Sequence, residues 1–442
     1  MSVRVSAWRS VLPHLGYDLP ADRSPAARAG GSVSTKLPLE LVRQSVSRRE
    51  WWPIPEPVRD HYARTRPTPL WRASRFEERI GARRPVYVKY EGGNISGSHK
   101  LNTALAQAYY YRRAGMRELV TGTGAGQWGT ALAAACAAFG MGCTVFMVGG
   151  SLRDKPYRGS LMRLLGADVH ASPSGLTATG AAGGANQLAL AIGEAVEYAA
   201  QEDGRAFCIG SGETYSILHQ SVIGLEAQAQ LAEMGAGVDT VVGCVGAGSN
   251  FGGLALPFFA AAQAGECPST PLLLAAESSA TPKLSRGVYA YDATDATGTG
   301  PMEPVYTVGI GYPIPAAHSA GLRFHAAAKV LSAMRRHGQI TAVGVGQREA
   351  LEAGHEFTLA EQVLPAPEAG HALAAAAAAA TGPTAGPGGG VLVCVSGHGL
   401  LDLGAYDHLL AGKLVNEYPS DEELARFTDG LAPVVTGTAV VS

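Results

Sequence analysis

The sequence has no excess charge of either sign: 35 basic and 37 acidic side chains leave a net charge of −2 over 442 residues. No long-range field therefore draws the chain to nucleic acid or to an anionic membrane surface. Cysteines are few. The six, Cys136, Cys143, Cys208, Cys244, Cys267 and Cys394, form no CxxC pair and sit mostly in apolar runs, the pattern of reduced core thiols rather than of disulfides or a zinc site. Long apolar runs are missing too. The most uniform, at 372–380, is alanine-rich and far short of the roughly 20 residues that cross a bilayer. The start of the chain is interrupted by Arg4, Arg9, His14 and Asp18, where a secretory signal needs an unbroken apolar core. A soluble, cytoplasmic protein without nucleic-acid or membrane partners is expected.

Glycine, by contrast, is abundant, and its 57 residues are clustered. The runs at 122–129 and 246–253 are of the kind that marks loops where backbone approaches a ligand closely. From Val86 onward, short β-branched runs at 118–120, 143–148, 240–245, 272–275 and 391–395 alternate with alanine-rich stretches of helical length. That alternation predicts an α/β fold with a parallel sheet covered on both faces. Ligands in such sheets sit beyond the carboxyl ends of strands, at the loops leading into helices, and both glycine clusters fall there. Residues 1–65, rich in Arg, Ser, Pro and Trp, read as an arm over a larger body. Residues 173–186 read as a flexible loop, and 381–390 as an exposed turn before the last strand.

Three short stretches bear chemistry. EGGNISGSHK at 91–100 precedes an alanine-rich helical pattern, which puts Lys100 at a helix start. The positive end of a helix disfavours an ammonium, so the pKa of Lys100 falls, the condition for a Schiff-base lysine. Position alone favours a solvated terminal lysine. VGAGSNFGG at 245–253 lies between a strand and an apolar helical run, and consecutive N–H groups at a helix N-terminus cradle a phosphate. The GK[ST] ending of a nucleoside-triphosphate loop is absent. TGTGAGQWG at 121–129 contains a formal GxGxxG, at Gly124, Gly126 and Gly129. The acidic ribose ligand of a dinucleotide fold is due about 20 residues further on, but Met147, Val148, Gly149 and Gly150 stand there. An anion nest for a substrate carboxylate is the preferred reading. A reactive lysine, a phosphate cradle and a carboxylate nest together describe a pyridoxal-phosphate site that receives an amino acid.

With those residues in place the chain resembles the tryptophan synthase β subunit, and more closely its stand-alone second branch, among the fold-type II pyridoxal-phosphate enzymes. The likeness runs from Arg66 to Leu410. It is carried by GSHK at 97–100, TGAGQWGTAL at 123–132, KPYRGSLM at 155–162, VGAGSN at 245–250, LSRGVYAYD at 284–292, HSAGLRFH at 318–325, PAPEAGHA at 365–372 and SGHG at 396–399. The resemblance implies two three-layer α/β/α domains with mostly parallel twisted sheets. After the arm at 1–65, an N-terminal α/β domain would span 99–225 and carry a mobile substrate-carboxylate region. A C-terminal α/β domain, formed by 66–98 and 226–442, would carry the phosphate loop.

Site roles follow from the same resemblance. Lys100 would form the internal aldimine with pyridoxal 5'-phosphate and take the substrate Cα proton, with His99 beside the phosphate. Gly246, Ala247, Gly248, Ser249 and Asn250 would cradle that phosphate; Ala247 stands where the family usually has glycine, so an extra methyl group must fit. Thr123, Gly124, Ala125, Gly126 and Gln127 would hold the donor carboxylate, with Gly122, Trp128 and Arg323 at the substrate, and Gly210 and Ser211 would line the cofactor. Glu368 and Ser396 would flank the pyridine ring. A serine hydroxyl at the ring nitrogen leaves it unprotonated, which favours β-elimination and replacement over transamination. Outside their motifs, Glu368 and Ser396 read equally as a helix cap and a turn residue. A homodimer and a monovalent cation (K+ or NH4+) are also implied, without an α subunit.

One departure stands out. The family writes a glutamate immediately before TGAGQ, as the acid–base group for the leaving hydroxyl and for indole; here the residue is Gly122. General acid–base help is worth about 10²–10⁴ in rate, so the loss requires compensation. Another carboxylate would reach in, or the donor would carry a leaving group such as phosphate, or the acceptor would use the space vacated. Lys155, Arg158 and Arg323 would meet a phosphorylated donor, though surface ion pairs read at least as well. The implied activity is β-replacement on an L-serine-type donor through an aminoacrylate, with an aromatic nucleophile, giving tryptophan or an analogue in specialised biosynthesis. A deaminase or cysteine-synthase-like reaction is the nearest rival. A catalytically retired binding homologue and an NAD-dependent oxidoreductase are the readings from other classes.

Overall fold

The β-branched runs form two sheets. The computed structural model describes residues 4–24, 36–184, 186–267, 269–293, 300–382 and 389–435. Six strands stand in the order Thr341–Val345, Leu272–Ser278, Val238–Cys244, Gly390–Val395, Val86–Tyr90 and Leu70–Arg72. All neighbours are parallel except the edge pair, where Leu70–Arg72 runs antiparallel to Val86–Tyr90. A second sheet, parallel throughout, orders Asp168–Ser172, Gly142–Val148, Glu118–Thr123 and Arg205–Phe207. The α/β class with mostly parallel sheets is thus the observed one.

Burial explains why these strands read as unbroken apolar runs. Along Gly390–Val395, Leu392 and Cys394 enter one apolar cluster, while Val391, Val393 and Val395 enter another on the opposite face. Val241 and Val242 divide the same way. With both faces covered, neither set of alternate positions is free to be polar. Helices Gln347–Glu361 and Pro367–Thr381 close one face, and Ser249–Gln263 lies on the other. The cluster under Ser249–Gln263 continues through helices Lys100–Arg113 and Gln127–Phe139 to Leu119 and Val145 of the second sheet, so one apolar body carries both sheets. Helix Gln187–Ala200 covers the outer face of the second sheet over Val120, Phe146 and Val148.

The first 65 residues hold elements that their weak periodicity hid. Strand Ala7–Arg9 pairs antiparallel with Trp51–Pro53, and helices Leu39–Val46 and Glu56–Tyr62 flank the pair. Fully buried Trp8 packs on His219, whose ring bonds Gln44 at 2.8 Å and Thr103 at 3.0 Å. Residues 173–186 are not the plain loop expected. Thr177 accepts from Gly180 N–H to cap the short helix Ala178–Ala182, and the buried Glu194 carboxylate gathers Ser174 and Thr177. Of the expected turn at 381–390, residues 383–388 lie outside the described residues. No helix among the described residues is long and apolar enough to cross a membrane.

Candidate active site

Strand Val86–Tyr90 delivers the chain to the site, and a short tied loop turns it into the Lys100 helix. Asn94 holds that loop, its amide donating to Glu91 O and Ser98 O while its carbonyl accepts from Ser96. His99 N–H donates to Ser396 O at 2.9 Å, which seats the first helical residue, Lys100, at the carboxyl end of Gly390–Val395. Behind the helix start lies a buried charge network. Arg66 meets Glu91 at 2.8 Å and Glu226 at 2.9 Å, Lys89 meets Glu226 at 2.9 Å, and Asn102 bonds both Arg66 and Glu91. Burial works to raise the Glu91 pKa, but Arg66 beside it prevails and holds it at about 2.

Lys100 Nζ makes no hydrogen bond or ion pair among the described residues. It lines a cavity with His99, Gln127, Ser211, residues 246–250, Glu368 and Ser396. Burial lowers its pKa, partly offset by Glu368, which favours a free amine. His99 is pressed to about 3 by burial and by Lys100, so its ring is neutral. Its Nδ1 faces Ser396 O at 3.3 Å and its Nε2 faces Ser249 Oγ at 3.2 Å. A carbonyl only accepts, so Nδ1 carries the proton and Nε2 accepts from Ser249.

The turn after Val238–Cys244 is closed on every side but one. Gly248 has φ +122°, and a Cβ there would lie 2.1 Å from Leu331 Cδ1; one on Gly246 would lie 2.2 Å from Gly321 O. Two of its carbonyls are engaged, Val245 O by Lys283 Nζ at 3.2 Å and Ala247 O by Ala328 N at 2.7 Å. The N–H groups of Gly246, Ala247 and Gly248 have no acceptor among the described residues, at the start of helix Ser249–Gln263. Such donors fit a phosphate. The Ala247 methyl is accommodated opposite Gly212, where a Cβ would stand 3.7 Å from it.

At the other end, Glu368 occupies the first turn of Pro367–Thr381. Its Oε1 accepts from Gln127 Nε2 at 2.7 Å and Gly321 N at 2.8 Å, while its buried Oε2 has no partner among the described residues. Ser396 Oγ stands 3.5 Å from Cys244 Sγ, a thiol that burial pushes up to about 11. The unpartnered carboxylate oxygen and the serine hydroxyl suit a polar ring between them.

The glycine turn of the second sheet is less uniform. Gly126, at φ +89°, caps helix Gln127–Phe139. Gln127 reaches the main cavity, Gly124 lines a smaller cleft with Leu188 and Arg323, and Thr123 and Ala125 are buried. Trp128, expected at the substrate, turns away. Its Nε1 donates to Thr121 Oγ1 at 2.8 Å, and its ring packs on Gly210, where a Cβ would stand 2.1 Å from it. Trp128 and Gly210 are thus partners in packing, whereas Ser211 lines the cavity. Gly122 corrects a second expectation. A Cβ there would lie 2.5 Å from Ala191 O and 2.6 Å from Ile192 N of helix Gln187–Ala200, so helix backbone fills the space an acceptor was expected to use.

The cations differ from the surface pairs expected. Lys155 Nζ and Arg158 each lie 2.5 Å from Asp402, whose side chain is fully buried. Burial works to raise the Asp402 pKa, but the two cations outweigh it and lower it. The trio keeps one positive charge in excess. Arg323 donates to Ile314 O at 2.7 Å, leaves Nε unpartnered and has no ion pair among the described residues. It faces both the Gly124 cleft and a wider one lined by Lys155 and His318. Asp402 and Gly321 were missed by sequence reasoning; Gly321 lay inside HSAGLRFH, and Asp402 stood just past SGHG without a signal of its own.

An amine without partners, free loop amides and an orphaned carboxylate oxygen around one cavity define an enzyme built around a phosphorylated, ring-bearing cofactor. Residues 63–397 match the family described as "Pyridoxal-phosphate dependent enzyme", and the chain belongs to that family. Its relatives narrow the class to tryptophan synthase β homologues. The tryptophan synthase beta chain of Pyrobaculum islandicum is 46% identical over 390 residues, 87% of this chain and 92% of that one. Tryptophan synthase beta chain 2 of Thermococcus kodakarensis is 41% identical over 423 residues, covering 93% and 95% of the two chains. Its namesake in Aeropyrum pernix is 41% identical over 435 residues, covering 95% and 96%.

Proposed function

We propose that the chain catalyses β-replacement: an L-serine-type donor loses its Cβ substituent and gains an aromatic nucleophile, giving tryptophan or a tryptophan-like amino acid. The observation that carries this reading is the unbonded amine of Lys100, which shares one cavity with the free amides of 246–248, Glu368 and Ser396. Pyridoxal phosphate, when bound, supplies an electrophilic carbon and an electron sink that acidifies a substrate Cα–H.

The remaining work falls to the chain. Residues 246–250 and His99 would hold the phosphate, and Glu368 and Ser396 would hold the ring. Lys100 would be the point of attachment, and its lowered pKa suits it to receive the Cα proton. The turn at 123–127, at the positive end of helix Gln127–Phe139, orients the donor carboxylate. At Gly122 no side chain is available to protonate a leaving hydroxyl, and a leaving group that needs little help is the compensation the neighbouring cations favour. Arg323, without a carboxylate partner, and the excess charge on Lys155, Arg158 and Asp402 support a phosphate there.

Incubation with serine, O-phosphoserine or threonine against a panel of indoles, phenols and thiols, read by product mass, tests this. The expected product joins the donor's three-carbon unit to an aromatic nucleophile, with O-phosphoserine consumed faster than serine. Pyruvate formed without use of any nucleophile would indicate a deaminase instead, and no turnover of any donor would indicate a binding homologue.

A further inference from the structure

Lys283 is a lysine with 0% exposure at the start of the short helix Lys283–Arg286. Its nearest carboxylate, Glu277, lies 3.9 Å away and is already engaged. Glu277 accepts from Leu284 N at 2.9 Å, Ser285 N at 2.8 Å and Ser285 Oγ at 2.6 Å. The ammonium is left with two backbone carbonyls, Val245 O at 3.2 Å and Thr281 O at 3.4 Å. Burying a charge on such terms is unfavourable: burial lowers the Lys283 pKa, and Glu277 works against that. Unlike Lys100, though, Lys283 Nζ is met by two carbonyl oxygens and a carboxylate, all acceptors, which is the surrounding an ammonium requires and a methionine of the same volume would not. The charge is therefore the feature that needs an account.

We infer that Lys283 is a positioning residue for the phosphate turn, its ammonium polarising the Val245–Gly246 peptide so that the Gly246 N–H becomes a stronger anion donor. The C=O that Lys283 bonds and the N–H that faces the cavity belong to one resonant amide. A cation drawing on the oxygen withdraws electron density from the nitrogen and strengthens its N–H, the cooperativity of linked hydrogen bonds in a low-dielectric interior. Lys283 itself is not among the residues that line the cavity, whereas Gly246 is, so its effect passes through the peptide. The inference rests on reading 246–250 as a phosphate cradle.

The test compares pyridoxal phosphate with pyridoxal, which lacks the phosphate, in binding to the full-length apoprotein by visible absorbance. Thermal protection by inorganic phosphate is measured alongside. Lys283→Met, and Lys283→Met with Glu277→Gln to avoid a lone buried carboxylate, should each weaken pyridoxal phosphate by about tenfold, as a charge-assisted bond reverts to a neutral one. Pyridoxal binding should hold and phosphate protection should shrink. Lys283→Arg keeps the charge and should keep the preference for the phosphorylated form, which also covers neutral variants that fail to fold. An unchanged preference in the neutral variants, equal loss of both ligands, or loss of preference in Lys283→Arg would overturn the inference. If the unaltered protein itself binds pyridoxal as tightly as pyridoxal phosphate, the cradle reading fails first.

Discussion

Two glycine-rich turns follow a parallel strand and open a helix in this protein, and their surroundings differ. At 246–248 the backbone is enclosed by Gly321 O, Leu331, Lys283 and Ala328, and its three amides have no acceptor among the described residues. At 122–126 the grip is uneven: Gly122 is jammed against helix Gln187–Ala200, whereas a Cβ on Gly124 would meet nothing nearer than 3.7 Å. A cofactor that stays can be held all round. A substrate that enters and leaves needs a turn with one open side, and Gly124 faces a cleft shared with the unpaired Arg323.

The sharpest way to break that contrast is Gly248→Val. The left-handed φ of +122° and the 2.1 Å approach to Leu331 should cost about 3 kcal/mol or more in stability and abolish cofactor binding, measured by denaturation and absorbance. Gly122→Glu comes next. Backbone atoms of Ala191 and Ile192 cannot yield as a side chain would, so a loss of about 2–4 kcal/mol without gain of indole activity is expected. Unchanged stability with improved indole use would show that the helix does not hold that space.

Acid should weaken the cofactor side. The His99 ring is held near 3 when folded, from an ordinary 6.5, by burial and Lys100. Folding stability from this group is therefore complete above about 6.5 and is lost progressively as pH falls towards about 3. Between pH 7 and pH 5 its share is about 2 kcal/mol, so His99→Gln should flatten the decline in unfolding free energy, read from urea titrations, by that amount. Arg323→Gln should lower kcat/KM for O-phosphoserine by about tenfold and for serine by less, the loss of one charge-assisted contact. Gly124→Ala should be the mildest, within about 1 kcal/mol in stability.

Much of this arrangement was legible because its signals are local. A helix start after GSHK, a glycine turn after VVGCV and continuous apolar strands are written in consecutive residues, and the parallel sheets followed from their alternation. What stayed hidden depends on contacts distant in the chain. Asp402 pairs with two cations about 245 positions earlier, which turned expected surface pairs into a buried trio. The backbone of Ala191 decides what Gly122 can accept, and no motif marks it. Trp128 stands in a motif expected to bind substrate, yet Thr121 and Gly210 draw it inward. Residues 1–65 hid their strands because each pairing strand is three residues long.

Borohydride reduction of the protein loaded with pyridoxal phosphate, followed by peptide mapping, tests the account at its root. The stable adduct should appear on the peptide containing Lys100 and be absent from Lys100→Met. An adduct on Lys89, Lys283 or any other lysine, or no adduct at all, would contradict it.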